Sequence, residues 1–168
     1  WAAGLISYFG SMITYVAVPF QIKELTGSYV AVAISGLVEI LPLIIFGLYG
    51  GVLADALDRK KLIWVTELLS LLFTAILLIN SMMDSPSLLL IYIVSGLFAA
   101  TSGLRQPAMQ AALPRLVDHE DMTAAAALMS LRWQIGVIVG PAIGGILISS
   151  YSVAVGYAAD IATFIVSI

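Results

Sequence analysis

Gly51-Val52-Leu53-Ala54-Asp55-Ala56-Leu57-Asp58-Arg59-Lys60-Lys61 packs five charges into its last seven residues, between two long apolar segments that carry almost none. A soluble helix hairpin spreads charge along its outer faces. Charge confined to the turn is what a chain shows where two membrane spans meet at a water boundary. The three consecutive basic residues Arg59, Lys60 and Lys61 also predict which boundary, because positive loops stay on the cytoplasmic side.

Composition supports a chain built for lipid. Of 168 residues, 61% are apolar and only 10% charged, against roughly a quarter charged in soluble domains, and the mean hydropathy is +1.09. A net charge of −3 argues against a nucleic-acid partner. With no cysteine and one histidine, thiolate and His-rich metal sites are excluded, and no cofactor is expected. No nucleophile–base constellation is visible either, so the chain does not read as an enzyme.

Working outward from the turn, charge-free or nearly charge-free stretches predict six spans, at about residues 2–22, 29–50, 62–80, 88–106, 131–150 and 153–168. Lys23 to Ser28 and Ser81 to Ser87 form the turns on one side. Pro107 and Pro114 bracket the exit of the fourth span. Asp118 is placed to cap the fifth helix, with Glu120 and Asp121 in its first turn. Alternating sides puts six of the seven basic residues (Arg59, Lys60, Lys61, Arg105, Arg115, Arg132) together, with the 54–61 and 105–131 loops cytoplasmic, and leaves only Lys23 opposite. The start at Trp1 and the end inside an apolar run at Ile168 are expected of a fragment whose last helix is truncated.

Within the spans, three patterns stand out. In the first, Ser7, Tyr8, Ser11, Thr14 and Tyr15 fall with Gln21 on an arc of about 140°, which predicts a face on a wet cavity over ordinary helix packing. In the fifth, Gly136, Gly140 and Gly144 recur every four residues, with Pro141 and Gly145 beside them, forming a smooth stripe that lets two helices approach closely in lipid. In the second and sixth, Glu39 and Asp160 sit well inside their spans. A carboxylate at such depth costs roughly 2.5–3.5 kcal/mol on insertion scales, so each needs a partner or a job. Both are candidates to carry a proton, Glu39 first because Pro42 lies one turn away and can open the backbone to water. His119 reads as a solvated loop residue, and Arg132 as a side chain reaching the membrane boundary.

The turn itself, Gly51-x-Leu53-Ala54-Asp55-x-x-x-Arg59-Lys60, is similar to the signature loop between the second and third helices of major facilitator superfamily transporters. The family pattern carries a basic residue where this chain has Ala56 and a glycine where it has Asp58. Gly136-x-x-x-Gly140-Pro141-x-x-Gly144-Gly145 resembles the fifth-helix motif of proton-coupled exporters of the same superfamily. Pro19-Phe20-Gln21-Ile22 through Leu25-Thr26-Gly27-Ser28, Ala112-Leu113-Pro114-x-Leu116-Val117 and Asp160-Ile161-Ala162-Thr163-Phe164 look like the branch that contains enterobactin and macrolide exporters. The superfamily's fourth-helix motif, an arginine four residues before a glycine, is not matched, because Tyr92 stands four residues before Gly96.

The resemblance implies an all-α membrane fold, the N-terminal six-helix bundle of a transporter. The expected function is proton-coupled efflux of a small molecule such as a siderophore or drug from the cell membrane. Gly51, Leu53, Asp55, Arg59 and Lys60 would then form a conformational switch, and a C-terminal six-helix half of the same polypeptide would complete the molecule. A non-transporting receptor or assembly subunit of the same fold is the alternative.

Overall fold

The computed structural model describes residues 2–113 and 117–167; the side chains at 2, 3, 54–56 and 119 lie outside that description. Pro114, Arg115, Leu116 and Ile168 therefore fall outside it, as do the side chains of Asp55 and His119.

Among the described residues, six α-helices follow in order: α1 (Ala2–Thr26), α2 (Tyr29–Ala56), α3 (Arg59–Ser81), α4 (Leu88–Ala112), α5 (Met122–Ser150) and α6 (Val153–Ser167), with a short 3-10 turn, His119–Asp121, ahead of α5. Five are long and apolar enough to cross a membrane, and the described part of α6 is shorter. The helices outrun the apolar stretches that announce them. α4 continues to Ala112, past the expected stop near 106, with Pro107 inside it. Pro19, Pro42 and Pro141 are likewise carried inside α1, α2 and α5. Each removes one backbone donor, a loss that membrane helices offset through neighbouring groups.

Local chemistry explains the junctions. Gly27, at φ 65°, adopts the left-handed conformation that ends α1 without steric cost, and its N–H donates to the Lys23 carbonyl at 2.8 Å. Ser28 and Ser87 then cap α2 and α4 by accepting from Ala31 and Leu90. Asp58, where the family pattern has glycine, caps α3, its Oδ1 accepting from the N–H groups of Lys60 at 2.9 Å and Lys61 at 3.5 Å. Asp118 occupies the position before the 3-10 turn in extended backbone, but its side chain makes no capping hydrogen bond, and Glu120 and Asp121 belong to that turn rather than to α5.

Apart from α3 and α4, chain neighbours are not the main packing partners. α2 lies chiefly against α4, α1 against α5 and α6, and α3 against α4 and α6, while α2 and α3 barely touch. The α2–α4 contact is a backbone approach through glycines. A Cβ on Gly103 would meet the Leu43 carbonyl at 2.7 Å and the Gly47 nitrogen at 3.0 Å, and one on Gly50 would meet Leu104 Cα at 3.0 Å. On the other side of α1, the Gly136, Gly140 and Gly144 stripe packs on Tyr8, Met12 and Ile13, each glycine one turn from the next. Gly145 does not share this contact: a Cβ there meets nothing within 4 Å, because it points off the stripe.

The dry core sits at one end. Ala17, Val18, Ile22, Leu77, Ile91, Val94, Ile148, Val153 and Tyr157 form one buried cluster. They come from the end of α1, α3 and α5 and the beginning of α4 and α6, which is the end opposite the 54–61 turn. Apolar burial thus closes the bundle where Lys23 and Asp84 lie, and buried polar groups such as Ser70, Thr74, Thr101, Arg105 and Asp160 are interspersed along the rest of its length.

Candidate functional site

Below that core, α1, α2, α4 and α5 line an open cavity of about 750 Å³. Val18 and Leu77 stand at its closed tip beside the apolar cluster, and Gln110, Met129 and Ser130 lie at the end that carries the charged turn. A volume of this order suits a drug-sized organic molecule, and the wall is mixed rather than purely apolar. Glu39 supplies one carboxylate from α2, and Arg105 and Arg132 supply guanidinium groups from α4 and α5.

The stripe on α1 divides between two jobs. Tyr8, Ser11, Thr14 and Tyr15 line the cavity. Ser7 does not: it is buried against the bundle, with its carbonyl accepting from Ser11 Oγ at 3.1 Å. Gln21 also turns inward, where its Oε1 accepts from the Tyr157 hydroxyl at 2.8 Å. A polar arc on a membrane helix serves interhelical bonds and solvent alike, and the arc alone does not tell them apart.

Two arginines are brought to the site that sequence reading used only for topology. Arg105 is 9% exposed and faces the cavity from inside α4, a residue earlier than Gln106, which lines the same wall. Its place within an otherwise charge-free helix is the signal that marks it. Arg132 does not simply reach for the boundary. Its guanidinium lies 5.7 Å from the Tyr8 ring centroid, and Nη2 donates to Met109 Sδ at 3.8 Å.

Glu39 is half-buried on the cavity wall. Asp160 is different in kind. It is fully buried, and Oδ2 accepts from Thr14 Oγ1 at 2.5 Å and from Thr74 Oγ1 at 3.0 Å, joining α6 to α1 and α3. The position is not peripheral, because α6 turns this face into the contact with both helices. The contact is allowed by Gly10: a Cβ there would fall on Thr163 Oγ1 and Asp160 Oδ1. Around it runs a seam of hydroxyls on α3, in which Ser70 Oγ and Thr101 Oγ1 share a hydrogen bond of 2.9 Å and Glu67 Oε1 accepts from Ser167 Oγ at 2.6 Å.

At the charged turn, Arg59 Nη1 donates to the Ala111 carbonyl at 2.8 Å, tying the start of α3 to the end of α4. Lys60 is exposed, and Gly51 and Leu53 are half-buried in the last turns of α2. Tyr92, at the position of the unmatched arginine, donates to the Ala31 carbonyl at 2.8 Å and so joins α4 to α2. Among the described residues there is no group of three or more His, Cys, Asp or Glu that could hold a metal ion.

A bundle of apolar helices around a one-ended cavity of mixed lining is the architecture of a multi-pass membrane transporter. The chain belongs to the major facilitator superfamily: the family model described as "Transmembrane secretion effector" matches residues 1–168. It is similar to the enterobactin exporter EntS of Salmonella choleraesuis, with 37% identity over 145 residues that cover 84% of this chain and 34% of the relative. The enterobactin exporters EntS of Shigella boydii and Escherichia coli O1:K1 are 36% and 35% identical over the same shares. The chain thus spans about a third of the length of the curated relatives it matches. No solved structure matches it.

Proposed function

We propose that this chain is the N-terminal six-helix half of a secondary active transporter of the cell membrane, which exports a small molecule by proton antiport. The observation that carries the reading is the cavity itself, closed by apolar packing at one end and lined toward the other by Glu39, Arg105 and Arg132. With the 54–61 turn and the ends of α4 and α5 that flank residues 113–121 on the cytoplasmic side, as the basic residues favour, the cavity faces inward and is placed to load from the cytoplasm. A missing C-terminal half of the same polypeptide supplies the opposite wall.

Enterobactin, the substrate named for the relatives, gives the substrate class to test: a catecholate siderophore. Two guanidinium groups and the rings of Tyr8, Phe98 and Trp133 on the wall suit an electron-rich aromatic ligand that carries negative charge. The 51–60 segment acts as the switch between access states, and the Gly136–Gly145 segment holds α5 on α1 through the change.

The test is export by the full-length parent in inverted membrane vesicles loaded with an imposed proton gradient. Uptake of enterobactin that collapses when the gradient is dissipated supports the reading. Binding without gradient-dependent movement would instead make the protein a receptor or assembly subunit.

A further inference from the structure

Asp160 is a carboxyl group with more buried acceptor capacity than it has donors. Oδ2 takes both threonine hydroxyls, from Thr14 and Thr74, and Oδ1 has no hydrogen-bond partner although it is sealed from solvent. An orphaned carboxylate oxygen in a membrane interior is costly, whereas a carboxylic acid has an O–H to place there. The acceptor for that O–H is at hand. Thr163 Oγ1 sits beside Oδ1, at the spot a Cβ on Gly10 would occupy, and it spends its own hydrogen on the Asp160 carbonyl at 2.7 Å. Its lone pairs are therefore free to accept.

We infer that Asp160, with Thr14, Thr74 and Thr163, is a buried proton-binding site, occupied in this conformation, with Thr14 as its door to the cavity. The inference rests on the transport reading for its purpose but not for its existence. With the proton on Oδ1, the cluster holds no buried charge: Oδ2 accepts twice and the Oδ1 hydroxyl lies beside the Thr163 oxygen. Thr14 lies on both sides of the partition, lining the cavity while bonding Asp160. When α1 draws away, Thr14 uncovers the carboxyl, cavity water accepts the Oδ1 proton, and a carboxylate remains. That charge resists re-burial until a proton returns, which links the α1–α6 contact to proton loading.

The charged and titratable groups around the site fit this role. Arg105 of α4 is the charged group whose field reaches the Asp160 carboxyl, and Glu67 of α3 and Tyr8 of α1 lie in turn within reach of Arg105. Arg105 makes no hydrogen bond to the Asp160 carboxyl, so this cation does not neutralise the group by contact. Glu39, on the open wall, has no such enclosure.

The test is infrared spectroscopy of the full-length protein in lipid nanodiscs at neutral pH. A carboxylic-acid C=O band is expected in the wild type and in Glu39→Gln, and is lost in Asp160→Asn. Asparagine copies the neutral acid, its oxygen accepting from Thr14 and Thr74 and its N–H donating toward Thr163, so the fold is retained. Thr163→Val, which removes the acceptor, shifts the band toward that of a carboxyl without a hydrogen bond. Absence of the band in the wild type, its survival in Asp160→Asn, or an unmoved band in Thr163→Val each overturns the inference. Because the band is read without substrate, a protein that shows it but exports nothing sinks only the transport reading.

Discussion

The Arg59 guanidinium, in the first turn of α3, donates to the Ala111 carbonyl, in the last turn of α4, at 2.8 Å. The last carbonyls of a helix have no intrahelical partner, and a cation there also meets the negative end of the helix dipole. A contact of this kind between two helix ends is made or broken whole when rigid bodies shift, which suits a switch.

Arg59→Ala should therefore reduce transport by the full-length protein several-fold while its abundance in the membrane stays near normal. Arg59→Lys should restore only part, because an ammonium lacks the planar fork of donors. Asp55→Asn, four residues earlier in the last turn of α2, is expected to act in the same direction. Unchanged transport in Arg59→Ala and Asp55→Asn would reduce the turn to a topology signal.

The sidedness of that turn is open to labelling. Single cysteines at Ala56 and Ser85, in the two turns on either end of α3, should react with impermeant reagent from opposite faces, Ala56 from the cytoplasm. The absence of native cysteine in this chain keeps its background low. Reaction of both from one face would overturn the six-span arrangement.

Much of the fold was legible because lipid enforces it. Runs of apolar residues, charged turns and a glycine every fourth position are local signals, and they mark helices wherever the chain later places them. What the sequence hid is pairing. Thr14 and Asp160 are separated by 146 residues, and nothing in either neighbourhood announces that they bond. Ser7 shares the arc of Tyr8 but is turned into the bundle, since an arc gives an orientation and not a neighbour. The α2–α4 approach was also missed, though Gly96 and Gly103, seven residues or two turns apart on α4, are both pressed against α2. Asp58 is the instructive reversal: a residue that departs from the family's glycine secures the turn by capping α3.

The glycine contacts give a graded series. Gly140→Leu must drive bulk into Met12, where an added Cβ already stands 2.5 Å from Met12 Cβ, and Gly103→Leu must displace backbone of α2. Overpacking typically costs about 1–3 kcal/mol, and rigid backbone gives less than a side chain. Gly103→Leu should thus lower the melting temperature most and Gly140→Leu less, with added proton leak. Gly145→Leu, facing open space, should leave both nearly unchanged. Equal behaviour of all three would show that the glycines do not set helix spacing.

The last prediction concerns the cavity wall. Arg132 is held over the Tyr8 ring, and a ring beneath a cation in a partly desolvated site contributes about 0.5–2 kcal/mol. Tyr8 is itself backed by Gly136, so the ring has little room to retreat. If the pair presents the guanidinium to an anionic aromatic substrate, Arg132→Gln and Tyr8→Leu should each weaken enterobactin binding to the full-length protein several-fold. The double variant should lose little more than the worse single one, because the two side chains act as a unit. Tyr8→Phe keeps the ring and should bind nearly as the wild type does. Fully additive losses, or a Tyr8→Phe defect as large as that of Tyr8→Leu, would mean that the hydroxyl or the separate residues, and not the stacked pair, face the substrate.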